Sequence, residues 1–159
     1  MPTAGWTGCV HSIHIAPARG APTTSVDEVH ALPAMGLQGD RHFGRSSNDP
    51  DSPRPDREIT LIEIEAIEAL EREHGISLSP GDARRNIVTR GVALNHLVGR
   101  EFTVGEVTLR GISLCEPCAH LASLTHEKVL PGLVHRGGLH AQILNEGVVR
   151  VGDAITPVE

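Results

Sequence analysis

Residues 102–118 read FTVGEVTLRGISLCEPC, and both the fold and the chemistry turn on them. Phe102-Thr103-Val104 and Val107-Thr108-Leu109 are short apolar and β-branched runs joined by Gly105-Glu106, which predicts a β-hairpin. The second arm continues through Gly111, a place for a bulge or a barrel corner, to Ile112, Leu114 and Cys115. Pro117 then stands near the first turn of a short helix over residues 118–124. Cys115 and Cys118 therefore sit where a strand gives way to a helix.

Working outward, the strand signal recurs. Residues 6–16 alternate Cys9, His11, Ile13 and Ile15 against Val10, Ser12 and His14, a strand that Pro17 ends. His11 and His14 fall on opposite faces of it, and Cys9 reads as a small packing residue. Residues 18–35 read as a loop with a short strand over 26–31. Residues 57–62 read as a strand, and residues 63–74 as a helix with Ile64, Ile67 and Leu70 inward, glutamates on a solvated face and Gly75 as its C′ residue. Asn86-Ile87-Val88-Thr89 is a short strand closed by Gly91. A helical piece over 127–134 is expected to be interrupted at Pro131-Gly132. Strands over 139–144 and 148–151 flank the turn Asn145-Glu146-Gly147, and residues 153–158 are strand-like. Residues 45–56, RSSNDPDSPRPD, read as an exposed loop. The whole predicts a mostly β fold, a closed or nearly closed barrel with a few short helices, in one domain spanning 1–159.

Composition narrows the function classes. Aromatics make up only 2% of the residues, so Val, Ile, Leu and Ala must build the core. No apolar run reaches membrane-spanning length, and the N-terminus carries no signal-peptide pattern. Three cysteines are too few for a disulfide framework, so a reducing, cytoplasmic setting is expected. The net charge of −6 argues against general nucleic-acid binding. Thirteen of the fourteen basic residues are Arg, clustered at Arg41, Arg45, Arg54 and Arg57 and at Arg84, Arg85 and Arg90. The planar guanidinium fork suits phosphate or carboxylate.

Two motifs carry chemistry. In Gly36-Leu37-Gln38-Gly39-Asp40-Arg41-His42-Phe43-Gly44, glycines bracket a polar triplet; it reads equally as an anion-binding turn or as a surface turn. The Cys115-Glu116-Pro117-Cys118 motif admits four readings. With His135 and His140 it would make a zinc site, although the spacing is longer than usual. As a redox pair it would use the helix start to lower a thiol pKa, but the flanking βαβ pattern is missing. As a soft-metal site it would use one thiolate, that of Cys118 at the helix start. Or both thiols simply pack.

The order and spacing of several blocks resemble the MOSC domain family, named after the C-terminal part of molybdenum cofactor sulfurase. The blocks are Gly39-Asp40-Arg41-His42-Phe43-Gly44, Arg57-Glu58-Ile59-Thr60-Leu61, Arg85-Asn86-Ile87-Val88, Leu97-Val98-Gly99-Arg100-Glu101-Phe102-Thr103-Val104-Gly105, Leu114-Cys115-Glu116-Pro117-Cys118 and Val149-Arg150-Val151-Gly152-Asp153, over residues 39–153. The resemblance implies a pyruvate-kinase-β-barrel-like fold that binds the molybdenum cofactor, a pterin dithiolene carrying a phosphate. It implies that Cys118 ligates molybdenum and is the catalytic centre, with Cys115 its packing neighbour. It puts Asp40, Arg41, His42 and Asn86 near the cofactor pocket, and Arg57, Arg84, Arg85 and Arg136 are assigned by their chemistry as phosphate or pterin contacts. Relatives that reduce N-hydroxylated compounds suggest a molybdenum-dependent oxidoreductase of small molecules. The expected alternatives are a sulfur carrier holding a persulfide on Cys118, and a non-catalytic cofactor-storage module. Those reductases carry further domains that this sequence lacks, so a separate electron-transfer partner, or a sulfur donor for the carrier role, is expected. Arg85 also stands where the family commonly has Glu.

Overall fold

The computed structural model of the chain describes residues 5–18, 20–44, 55–117 and 119–158, without the side chains of Ala119 and His120. Eleven strands and three short α-helices are present among them. The strands are β1 (Gly8–Ile15), β2 (Thr24–Val26), β3 (Glu28–Leu32), β4 (Gly36–Leu37), β5 (Ile59–Glu63), β6 (Ile87–Arg90), β7 (Glu101–Val104), β8 (Val107–Leu114), β9 (Leu139–Ile143), β10 (Gly147–Arg150) and β11 (Ala154–Pro157). The helices are α1 (Ile64–His74), α2 (Ala119–Leu124) and α3 (Val129–Gly132).

Seven strands close a ring in the order β11-β7-β8-β9-β5-β6-β1, and β1 pairs back to β11 through Gly8 and Cys9. Closure removes the two sheet edges that would otherwise expose unpaired backbone. β2 adds to β1, and β10-β3-β4 form a separate small sheet. Each neighbouring pair in the ring is antiparallel except β5–β6, which is parallel. A parallel pair needs a crossover connection, and α1 is part of it.

The crossover explains why there are two apolar clusters. In β5 and β6, Leu61 and Ile87 point into the barrel with Ile13, Phe102, Leu109 and Leu139, while Ile62 and Val88 point outward beneath α1. There they meet Ile67 and Leu70 of the helix, Val129 of α3 and Leu133 just after it. Phe102 is fully buried and anchors the barrel interior; burying a side chain of this size contributes about 1.5–3 kcal/mol.

Several local expectations hold. The 102–109 hairpin, the helix ending at Gly75 in left-handed geometry (φ 68°), and the register shift beside Gly111 are all present. Gly111 is also a contact requirement, because a Cβ there would lie 2.0 Å from the Leu97 carbonyl oxygen. Other expectations fail for tertiary reasons. A register shift between Val10 and Ser12 changes the phase of β1, so that Val10 and Ile13, not Cys9 and His11, reach the core. The strands on either side of Asn145-Glu146-Gly147 are present as expected, but they belong to different sheets: β9 joins the ring, whereas β10 pairs with β3. α3 is shorter than the expected 127–134 piece: it takes in Pro131 and ends at Gly132, which sits against Leu70 and His74. Nor are all the helix glutamates solvated, since Glu65 accepts a 2.9 Å bond from Gly91 N–H. Of the 45–56 loop, residues 45–54 lie outside the described residues and Pro55-Asp56 begin a 3-10 turn. No helix among the described residues is long and apolar enough to cross a membrane.

Candidate functional site

One end of β1, the glycine-rich turn, the start of β6 and the 115–117 turn converge on a polar cavity of about 130 Å3. Its wall is best built from the backbone outward, because most of its polar side chains hold the scaffold in place.

Asp40 accepts from the Ala16 N–H (3.0 Å) and from the His42 N–H (3.3 Å), and Arg41 N–H donates to the Ala16 carbonyl at 2.7 Å. The glycine-rich turn is thus fastened to the end of β1, which sends Arg41 and His42 to the cavity. Asn86 is a half-buried staple between three strands. Its Oδ1 accepts from Thr60 N–H (3.0 Å) and Thr60 Oγ1 (3.1 Å), and its Nδ2 donates to the His14 carbonyl at 3.1 Å. Both ends of the amide are occupied, so Asn86 shapes the cavity more than it reads a ligand.

Arg85 clamps the cysteine turn. Its Nε donates to the Gly137 carbonyl (2.8 Å), and its Nη2 donates to the carbonyls of Cys115 (3.2 Å) and Glu116 (3.3 Å). A Glu here could not donate these bonds. Cys115 N–H bonds the Gly138 carbonyl at 2.7 Å, and Glu116 accepts from His135 N–H at 2.8 Å. Cys115 is buried and lines the cavity. Cys118, the residue assigned to metal and catalysis, lies outside the described residues.

Arg84 differs from its neighbour. It adopts left-handed backbone geometry (φ 60°), which costs a non-glycine residue about 1–3 kcal/mol and marks functional sites disproportionately. Its Nη1 donates to the Ala21 carbonyl at 2.7 Å, while its buried Nη2 has no partner among the described residues. Burial, and then the charge of Arg41, lower its pKa against the pull of Asp40. Two guanidinium groups close enough to repel, one with a donor unmet among the described residues, are chemically suited to an anion. Arg84 and Thr23 also wall an adjoining recess of about 230 Å3. Together the two spaces reach the lower part of the roughly 300–1,000 Å3 range of small-ligand pockets. Larger recesses of about 500 and 600 Å3 lie elsewhere, but neither gathers these arginines or a cysteine.

Of the residues expected at the site, Asp40, Arg41, His42, Arg84, Arg85 and Asn86 line the cavity. Arg57 and Arg136 line neither it nor the adjoining recess. Arg57 is exposed at the end of the 3-10 turn Pro55–Arg57, and Arg136 pairs with Glu73 of α1. The zinc arrangement finds no support here. His135 is bound to Glu116 on the surface, His140 lines the cavity, and no three His, Cys, Asp or Glu among the described residues converge as a metal site.

His14, Thr23, Thr60 and His140 line the cavity without having been singled out for it. The only local signal was the polar phase Ser12, His14 in β1. His14 is buried, and its Nε2 bonds Ser12 Oγ at 2.8 Å. Burial, and then His11, push its pKa below the ordinary imidazole value, against the opposing pull of Asp82. The folded state therefore holds this proton less tightly than the unfolded chain does, and the stability it contributes is lost as pH falls from about 6.5. Urea midpoints measured between about pH 7.5 and 5.5 should fall less in His14→Gln than in the wild type; equal slopes would refute the assignment.

A seven-stranded closed barrel with a helical crossover, and a cavity rich in arginine beside a cysteine turn, define a small β-barrel domain. The MOSC domain model matches residues 38–156, and the chain belongs to the MOSC domain family. MOSC domains are associated with the molybdenum cofactor. The fold is similar to that of the YuaD protein from Bacillus subtilis, with TM-score 0.82 at 17% identity, covering 98% of this chain and 99% of that one. It is also similar to YiiM from Geobacillus stearothermophilus (TM-score 0.71, 18% identity, 96% and 75% covered) and to YiiM from Escherichia coli (0.63, 20%, 98% and 70%). No curated protein matches the chain.

Proposed function

We propose that the chain binds the molybdenum cofactor in this cavity and reduces N-hydroxylated small molecules with electrons from a separate electron-transfer protein. The observation that carries this reading is the buried Arg84 Nη2, without a partner among the described residues, in a cavity shared with Arg41 and the turn leading into Cys118. That donor set fits a group carrying a phosphate. The guanidinium forks of Arg84 and Arg41 match its oxygens, and the adjoining recess gives room for a body larger than the cavity alone. Cys118 would hold the molybdenum through its thiolate.

When bound, the cofactor would supply the two-electron redox chemistry. The chain's own residues do the rest. Arg85 holds the backbone of the cysteine turn, Asn86 keeps β1 and β5 at the spacing the cavity needs, and His14 stands in the wall as a group able to move a proton. A reducing cytoplasm would keep such a ligand a free thiolate.

The test is metal and pterin analysis of protein made in a cofactor-competent host. The wild type should carry molybdenum and pterin near one equivalent, and Cys118→Ser should lose molybdenum while its circular dichroism is unchanged. Wild-type protein without either component would refute the reading. A reducible persulfide on Cys118 in its place, seen by intact mass, would indicate sulfur transfer.

A further inference from the structure

A chain of hydrogen bonds runs along β1 from solvent to the cavity wall. His11 is exposed, and its Nδ1 lies 3.3 Å from Ser12 Oγ. Ser12 Oγ lies 2.8 Å from Nε2 of His14, which is buried and lines the cavity. The register shift between Val10 and Ser12 makes this possible. In a regular strand His11 and Ser12 would face opposite sides of the sheet.

We propose that His11, Ser12 and His14 form a proton path that delivers solvent protons to the cavity. The proposal deepens the reductase reading and rests on it for the use of the protons. Reducing R–NHOH to R–NH2 and water breaks one N–O bond. It consumes two electrons, drawn from the external electron-transfer protein, and two protons, which come from solvent. In each passage, hydronium from solvent protonates His11 Nε2, leaving water, and His11 Nδ1–H passes to Ser12 Oγ. The Ser12 hydroxyl proton passes to His14 Nε2, and His14 Nδ1–H is given up to the cavity. One proton enters and one leaves, so no group keeps a charge; tautomer exchange of the rings and rotation of the hydroxyl reset the path.

The charges around His14 suit transfer rather than storage. From the glycine-rich turn come Asp40, Arg41 and His42, and from β9 comes His140. Arg84 and Arg85 precede β6, and Asp82 acts on the ring from the 3-10 turn Pro80–Ala83. Gly81 lets this turn lie close to the ring, because a Cβ there would come 3.0 Å from His14 Nδ1.

Two measurements test the path, and the first needs neither cofactor nor substrate. In protein labelled with 15N-histidine, solvent exchange of the His14 ring N–H should slow in Ser12→Ala and return to the wild-type rate in Ser12→Thr, which restores the hydroxyl. An unchanged rate in Ser12→Ala would overturn the proposal. Second, in loaded enzyme turning over phenylhydroxylamine, Ser12→Ala should lower kcat about 10²-fold with KM unchanged, and added imidazole should restore it. His11→Gln should show the same loss and the same rescue. Slowed exchange with unaltered kcat would overturn the catalytic use of the path. If even the wild type reduces no N-hydroxylated compound, the reductase reading fails, while slowed exchange in Ser12→Ala still supports the path.

Discussion

Gly138→Ala lowers stability by about 3–5 kcal/mol and disturbs the cysteine turn. Gly138 has φ 123°, and a Cβ on it would lie 2.1 Å from the Leu61 carbonyl oxygen. Backbone of this kind cannot step aside, because Leu61 is paired to Ile87 of β6 on one side and to Leu139 of β9 on the other. Any relief must come from the Gly137-Gly138 segment, which carries the carbonyls that receive Cys115 N–H and Arg85 Nε. The strain therefore passes directly to the residues leading into Cys118. In a domain of this size the melting temperature should drop by roughly 10 °C or more, read by circular dichroism. Gly152→Ala is the control. Gly152 also has positive φ (89°), but nothing lies within 4 Å of its added Cβ, so it should show the backbone term alone, about 1–2 kcal/mol. Equal losses in the two variants would contradict the close-contact argument.

The second large effect separates binding from stability. Arg84→Gly should weaken binding of inorganic phosphate, measured by calorimetry, by about 10–100-fold, the worth of a hydrogen bond to a charged group. It should leave the melting temperature unchanged or higher. Glycine relieves the left-handed strain and removes the unmet buried donor, against the loss of one bond to the Ala21 carbonyl. Natural proteins accept such costs where a site needs them. Arg84→Gly that binds phosphate as well as the wild type would remove Arg84 from the anion seat. A large fall in melting temperature would mean that Arg84 is structural.

The arginines at 84 and 85 show how far residue type alone reaches. Both were legible as candidates for a phosphate or pterin contact, and both line the cavity. Their division of labour was not. Arg85 donates its bonds to carbonyls of residues 83, 115, 116 and 137, up to 52 positions away in the chain. Arg84 keeps one nitrogen unmet among the described residues. The difference arises from backbone geometry at a single position, which no side-chain pattern announces. Arg136 was legible by the same chemistry, yet it meets Glu73 at the end of α1, because the tertiary fold brings an acidic helix face beside it.

Local elements were readable because their causes are local. The 102–109 hairpin follows from alternating apolar residues about Gly105-Glu106, and the end of α1 from a glycine able to take positive φ. A mostly β barrel was readable from the recurrence of such strands. The phase of β1 was not, because its register shift is set by pairing with β6, some 75 residues on. For the same reason His14 was not seen as a cavity residue, nor the turn at residues 145–147 as a crossing between two sheets. By itself, then, the sequence determined the strands, the helix ends and the family blocks around Cys115-Glu116-Pro117-Cys118. Only ring closure, β1 against β11 and β5 against both β6 and β9, decided which polar groups are consumed by the scaffold and which stay available in the cavity. Hydrogen bonds between residues far apart in sequence are chosen by the geometry that brings them within 3 Å, and that geometry exists only in the closed barrel.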